Sequence, residues 1–131
     1  MYRWVDHTAE LELEIEAETE AAVFADALAA LAELLADDGA GPSEQRELEL
    51  EAADRAALLA DWLDELVYLA DVDAFVPERL AEIELDGNGL QASVTGHRGS
   101  PSALVKAVTR HRLAFARDEN RKWRARLVLD V

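Results

Sequence analysis

Residues 11 to 18 read Leu-Glu-Leu-Glu-Ile-Glu-Ala-Glu, an alternation without a fault. Side chains of an extended strand point to opposite faces in turn, so Leu11, Leu13, Ile15 and Ala17 share one face and Glu12, Glu14, Glu16 and Glu18 the other. A matching stretch closes the chain. In residues 122 to 130, Trp123, Ala125, Leu127 and Leu129 fall on one face, and Arg124, Arg126, Val128 and Asp130 on the other. Laid antiparallel with Glu10 opposite Asp130, the two strands set Glu14 against Arg126 and Glu16 against Arg124. Each exposed pair of this kind contributes only about 0.2–1 kcal/mol. A slip of one residue, however, would bury the charges and expose the leucines. The sequence therefore predicts that the first clear strand and the last one are neighbours.

That register gathers Glu10, Asp130 and the carboxylate of Val131 at one end of the sheet. Clustered carboxylates repel, so one takes a proton, a basic side chain neutralises them, or a hard divalent cation such as Ca²⁺, Mg²⁺ or Mn²⁺ binds. The plain alternative is a set of unrelated, solvated acids. His7 precedes Glu10 by three residues, a spacing that suits either one nitrogen ligand or a hydrogen-bonding anchor at the strand entry.

Between the terminal strands the periodicity changes. Thr19 is placed to cap a helix in which Val23, Phe24, Ala27, Leu28, Leu31, Leu34 and Leu35 recur at helical spacing, ended by Gly39, Gly41 and Pro42. Residues 46 to 52 alternate again, with Leu48 and Leu50 inward. Asp54 then caps a second helix presenting Leu58, Leu59, Trp62, Leu63, Leu66, Val67 and Leu69. A third strand through Leu80, Ile83 and Leu85 enters the Asp86-Gly87-Asn88-Gly89 hairpin turn and a fourth from Leu90 to His97. Residues 103 to 109 are ambiguous between a helical turn and a strand, and the last two strands, about 110 to 117 and 122 to 130, flank a polar turn at 118 to 121. The expected fold is one α+β domain over residues 1 to 131, two-layered, with two helices on one face of a largely antiparallel sheet of about six strands.

The 131 residues carry 28 Asp and Glu against 13 Lys and Arg, a formal charge of -15. The sign is unevenly spread: 4 basic and 25 acidic side chains precede Arg98, whereas 9 basic and 3 acidic ones lie from Arg98 onward. The C-terminal quarter is thus either an anion-binding surface or the internal counter-charge to the acidic remainder. Only Lys106 and Lys122 are lysines, a balance that fits the hydrated acidic surface of a protein adapted to a salt-rich cytosol. Arg110, Arg112, Arg117, Arg121, Arg124 and Arg126 lack the interleaved aromatics of a single-strand binding platform, which favours pairing within the molecule. Trp4, Trp62 and Trp123 belong to the core or its margin.

Without cysteine there are no disulfides, thiolate metal sites or Cys nucleophiles. No apolar stretch approaches the roughly 20 residues of a membrane span, and the N-terminus does not read as a signal peptide, so the expectation is a cytoplasmic protein with no membrane partner. Phosphate loops, dinucleotide fingerprints, nucleophile elbows and HExxH are absent, which leaves ordinary nucleotide-binding or hydrolase chemistry without support. Lys106, set among Leu104, Val105, Ala107 and Val108, is either a snorkelling surface residue or a single cation for a phosphate or partner carboxylate.

Four segments then carry a family likeness: Asp6-His7-Thr8-Ala9-Glu10, the helix from Leu58 to Leu69, Val105-Lys106-Ala107-Val108-Thr109-Arg110-His111, and the ending from Trp123 to Val131. In this order and spacing, and over nearly the whole chain, the sequence resembles archease, the protein cofactor of the RtcB-type RNA ligase that joins tRNA halves in tRNA splicing. The resemblance implies a non-enzymatic activator that stimulates guanylylation and repeated turnover of the ligase, with RNA met only through that partner. It also implies a divalent cation, Ca²⁺ foremost and Mg²⁺ or Mn²⁺ otherwise, held by Glu10, Asp130 and Val131, and a functional lysine at Lys106. Position 10 carries Glu where the family pattern has Asp, so this ligand reaches one methylene further, and Arg110 stands in place of the usual Tyr. Two other classes stay open on the residues alone: a stand-alone metal-binding or chaperone-like interaction module, and a metal-dependent hydrolase using His7, Glu10 and Asp130.

Overall fold

The computed structural model describes residues 1–7 and 9–131, and of His7 the backbone only. Its elements run β1 (Tyr2–His7), β2 (Glu10–Ala17), α1 (Glu20–Leu35), β3 (Ser43–Glu51), α2 (Arg55–Asp73), β4 (Phe75–Asp86), β5 (Gly89–Arg98), β6 (Ala107–Arg117) and β7 (Trp123–Asp130). This is an α+β fold of two helices and seven strands. The strands form two antiparallel sheets, one of order β1-β2-β7-β6 and one of order β3-β5-β4, where the sequence suggested a single sheet of about six. The additional strand is β1, which pairs along the edge of β2 with Trp4 opposite Leu13 and His7 opposite Glu10.

The terminal strands meet in the register that the alternation predicts. Glu10 faces Asp130, Glu14 faces Arg126 and Glu16 faces Arg124, while Leu13 lies opposite Leu127 and Leu11 opposite Leu129. The apolar face is sealed: Leu13, Leu127 and Leu129 have no exposure, and Ile15 and Ala125 are buried. Both helix caps are as the sequence places them. Thr19 accepts from the Ala22 amide at 3.1 Å and Asp54 from the Ala57 amide at 2.8 Å, each satisfying a donor that the first helical turn leaves unpaired.

The helices do more than cover one face. α1 packs on β1, β2 and β7 and also on β4, and α2 packs on β6 and also on β3 and β4, so each touches both sheets. Burial follows from this. In α2, Ala60 and Ala70 join Leu58, Leu59, Trp62, Leu63, Leu66 and Leu69 in the core, a band wider than the stripe of a helix with one neighbour. Trp62, fully enclosed, donates its indole N–H to the Phe24 carbonyl at 3.0 Å, and its ring stands edge-on to Phe24 with centroids 6.3 Å apart. Phe24, Phe115 and Trp123 continue this aromatic contact to the last strand.

The segment that sequence left ambiguous divides. Residues 101 to 106 form a loop, and β6 begins at Ala107. Ser102 ties the loop to the end of α1, its amide donating to the Leu35 carbonyl at 3.1 Å and its hydroxyl to the Leu34 carbonyl at 3.2 Å, acceptors that the last helical turn leaves open. Within β6, pairing with β7 breaks between Thr109 and Ala114. The chain makes an excursion there, with Arg112 in the left-handed region at φ 57°.

Leu127 sits at the middle of the β2–β7 ladder with no exposure. Truncation there leaves a cavity that two packed layers cannot close, so Leu127→Ala is expected to cost about 2–5 kcal/mol in urea unfolding, against a loss below about 1 kcal/mol if the terminal strands contributed little to the core.

Candidate functional site

Three strand ends lie side by side at one end of the four-stranded sheet. Glu10 opens β2, Asp130 closes β7 directly opposite it, and Ala107 opens β6 opposite Asp130 on the other side. Directly opposed residues of an antiparallel pair share a face, with Cβ atoms about 4.5–5.5 Å apart, so the Glu10 and Asp130 side chains leave the sheet together. The backbone fixes both neighbours. The Lys106 amide donates to the Asp130 carbonyl at 2.8 Å, and the Val131 amide donates to the Ala9 carbonyl at 3.4 Å. Ala9 itself takes φ 61°, an unusual conformation for a residue with a β-carbon, in the turn between β1 and β2. Glu10, Asp130 and Val131 are thereby brought to one tip, as strand pairing requires, and Lys106 joins them from the loop before β6.

His7 reaches the same end, its backbone opposite Glu10. Its side chain lies outside the described residues. Among the described residues no three His, Asp or Glu side chains already converge as a metal group. The donor set of the tip is of another kind: two side-chain carboxylates and the oxygens of Val131. All are hard oxygen donors, a set that fits Ca²⁺, Mg²⁺ or Mn²⁺ and not a soft thiophilic metal. Lys106 is exposed beside them.

The arginine-rich C-terminal part is largely spent inside the molecule. Arg110 reaches across to α2, with contacts of 2.7 Å to Asp61 and 3.4 Å to Asp64. Arg112 turns to the opposite face of the sheet and meets Glu12 at 3.2 Å, while its carbonyl accepts from Arg126 Nε at 2.9 Å. Arg124 meets Glu16 at 3.4 Å and Asp118 at 2.7 Å, and Arg117 lies over the Trp123 ring. Glu14 is bound by Arg3 of β1, a hydrogen bond that holds its carboxyl below the usual range, with Arg126 adding a smaller effect. One consequence departs from the simple alternation: Glu12 and Val128 face outward, yet both are buried where the Arg110–Leu113 excursion reaches over them.

A second charged cluster has no counterpart in the sequence reading. His97 of β5 is buried, with Nδ1 on the Glu78 carboxylate of β4 and Nε2 2.6 Å from Asp37, just beyond α1. Asp37 also accepts from the Gly39 amide at 2.8 Å and the Ser100 amide at 3.0 Å. A β-carbon on Gly99 would stand 2.1 Å from Asp37 Oδ2, so a larger residue there would displace the Asp37 carboxylate from this cluster. This cluster shares a surface depression with Tyr2 and Glu33, at the end of β1 remote from His7, and is no part of the tip. Burial alone pushes the imidazole pKa down, but the hydrogen bonds and charges of Glu78 and Asp37 outweigh it and the net shift is upward. Asp37 is held low, first by the Gly39 amide and then by His97.

Comparison with known proteins agrees with this architecture. The Archease protein family (MTH1598/TM1083) matches residues 2–131. The chain belongs to the archease family. It is similar to the solution structure of Methanobacterium thermoautotrophicum protein 1598, with 28% identity, a TM-score of 0.74, and coverage of 99% of this chain and 98% of that one. In fold it is also similar to the crystal structure of an archease from Thermotoga maritima, described as a possible chaperone, with 23% identity, a TM-score of 0.67, and coverage of 100% of this chain and 98% of that one. Comparison with curated proteins finds no match. Among the described residues no helix is long and apolar enough to cross a membrane.

The His97 cluster generates a pH dependence of stability. A raised folded pKa means that the imidazole stabilises fully below its unfolded value near 6.5 and that this contribution is lost as pH rises through the folded value. Asp37, depressed from 3.8, contributes above that value and loses its contribution as pH falls through the lowered one. Stability measured in urea is therefore expected to fall as pH rises above about 6.5, and His97→Gln is expected to flatten that decline. An unchanged decline in the variant would place its source elsewhere.

Proposed function

We propose that this chain is a non-catalytic activator of an RtcB-type RNA ligase, stimulating ligase guanylylation and multiple turnover through its carboxylate-rich tip. The observation that carries this reading is the convergence of Glu10, Asp130, Val131 and Lys106 at one sheet end, together with membership of the archease family. Glu10, Asp130 and Val131 would hold a divalent cation, Ca²⁺ foremost and Mg²⁺ or Mn²⁺ otherwise. A cation so held neutralises anionic phosphate oxygens and orients them. The contribution of this chain is to present those acids on paired strands whose positions are fixed before the partner arrives. Lys106, anchored through its backbone to Asp130, adds one cation beside them to orient the tip against an anionic or carboxylate group of the ligase. RNA is met through the ligase, since Arg110, Arg112 and Arg124 are engaged by carboxylates of this chain.

This reading makes the protein a cofactor of an enzyme acting in the cytoplasm and not an enzyme itself. A chaperone-like or stand-alone metal-binding module is the second reading, favoured by the description of the Thermotoga maritima protein as a possible chaperone. Purified chain added to the ligase at limiting Mn²⁺ is expected to raise guanylylation, and Asp130→Ala and Lys106→Ala are expected to lower that stimulation at least about tenfold. Equal stimulation by the variants would remove the tip from the mechanism. Absence of stimulation by the unmodified chain would favour the second reading.

A further inference from the structure

Among the described residues the two sheets leave four strand edges free: β1 and β6 in one, β3 and β4 in the other. An open edge offers unpaired N–H and C=O groups to any strand that arrives, and folded proteins guard against this. Three of the four edges carry such a guard. β1 has only six residues, β4 contains Pro77 and two register shifts, and pairing along β6 breaks between Thr109 and Ala114. β3 has none of these devices: its nine residues, Ser43–Glu51, pair with β5 in one unbroken register and include neither proline nor lysine.

Two bonds at the ends of β3 fix which of its backbone groups are free. The Arg98 amide donates to the Pro42 carbonyl at 2.9 Å, and the Ala52 amide donates to the Asn88 carbonyl at 3.0 Å. Backbone direction alternates along a strand, so the even-numbered residues from 42 to 52 turn their N–H and C=O groups to β5. Residues 43, 45, 47, 49 and 51 turn theirs to the open edge, and all five are exposed. Beside this edge lies a groove lined by residues 46 to 50 of β3 and by Glu65 and Leu69 of α2. A strand laid along it would turn alternate side chains into the groove, against Leu48, Leu50 and Leu69. The others would lie on the outer face beside Glu47, Glu49 and Glu51.

Charge selects the occupant. Glu14 and Glu16 of β2 face Arg126 and Arg124 across their ladder, whereas Glu47, Glu49 and Glu51 face Ser93, Gln91 and Gly89, which bring no charge. Glu47 accepts from Gln45 and Ser93, but among the described residues Glu49, Glu51 and Glu65 make no ion pair. A second copy of β3 would set glutamate against glutamate, which destabilises the pairing. A strand of opposite sign would supply the missing counter-charge. We infer that the β3 edge is a docking site for an extended protein segment in which Lys or Arg alternates with apolar residues, added as a further strand of the β3-β5-β4 sheet. Backbone bonds along the edge give affinity, and the alternation of side chains gives register. The site is on the other sheet from Glu10 and Asp130 and does not rest on the ligase reading.

The test is calorimetric titration of the full chain with an end-blocked peptide as long as β3 that alternates Lys and Val, against a peptide of the same composition with its lysines in one block. One alternating peptide is expected to bind per chain, and the block peptide is expected to bind at least about tenfold more weakly. Glu49→Gln and Glu49→Pro remove the same charge, but only proline also removes an N–H from the open edge, and it leaves the β5 ladder intact. Glu49→Gln is expected to raise Kd about twofold to fivefold and Glu49→Pro at least about tenfold. Far-UV circular dichroism checks the fold of each variant, and if Glu49→Pro does not fold, the comparison of peptides decides alone. No binding of the alternating peptide would overturn the inference. Equal binding of the two peptides, or equal weakening by the two variants, would also overturn it, leaving only a general attraction of lysine to an acidic chain. Light scattering covers the remaining occupant, since a dimer of the unmodified chain dispersed by Glu49→Pro would assign the edge to a second copy and overturn the proposal.

Discussion

The pairing of β2 with β7 is the constraint on which the rest of the molecule depends. It joins segments more than a hundred positions apart in the sequence and seals Leu13, Leu127 and Leu129 beneath the helices. The same hydrogen-bonded ladder decides what happens at its end. Because side-chain direction alternates strictly along a strand, the register that buries Leu129 also sends Glu10 and Asp130 out of the sheet together. Core packing and tip chemistry are therefore one decision. A substitution that shifted the strand to relieve carboxylate repulsion would have to expose leucines to do so.

Charge plays two distinct parts in this fold. Along the outer face, glutamates of β2 are met by Arg3, Arg112 and Arg124, contacts on partly solvated ground whose value lies in favouring one register more than in adding stability. At the β6 excursion the same chemistry reaches further. Arg110 and Arg112 leave opposite sides of the sheet edge, one toward α2 and one toward Glu12, so a single irregular stretch links the helix layer to the outer face. The strongly basic C-terminal part is thereby absorbed as internal counter-charge. Lys106, held at the tip by its backbone, stands apart from these pairs in position and surroundings.

The sequence was legible where periodicity was strong and local. The 11–18 alternation, the arginines opposite it, and the Thr19 and Asp54 caps are each set by interactions within a strand pair or a helical turn. β1 was not legible, because Tyr2 and Trp4 alternate for only a few residues before Asp6, and an edge strand needs only one neighbour. Nor was the division into two sheets, since β3 pairs with β5 across the whole of α2 and β4. The breadth of burial on α2, with Ala60 and Ala70 inside, was the available sign that a second layer lay beyond the helices. Arg112 gives no warning of its left-handed backbone, where Gly or Asn would have done so. His97 gives none of its carboxylate partners, one of which lies 60 residues away. At the candidate tip, strand register pointed to Glu10, Asp130 and Val131 in the sequence, whereas Lys106 was singled out by its apolar neighbours and by family likeness, and the Lys106 amide bond to the Asp130 carbonyl sets it at the same end of the sheet.

The measurement that bears most directly on this account is calorimetric titration of Ca²⁺ and of Mn²⁺ into the chain alone, repeated with Glu10→Gln and Asp130→Asn. Both substitutions keep the shape of the side chain and remove its charge, so the strand pairing survives. The account expects one site per chain, weakened at least about tenfold by either change. A site of the same affinity in both variants, or none in the unmodified chain, would contradict it.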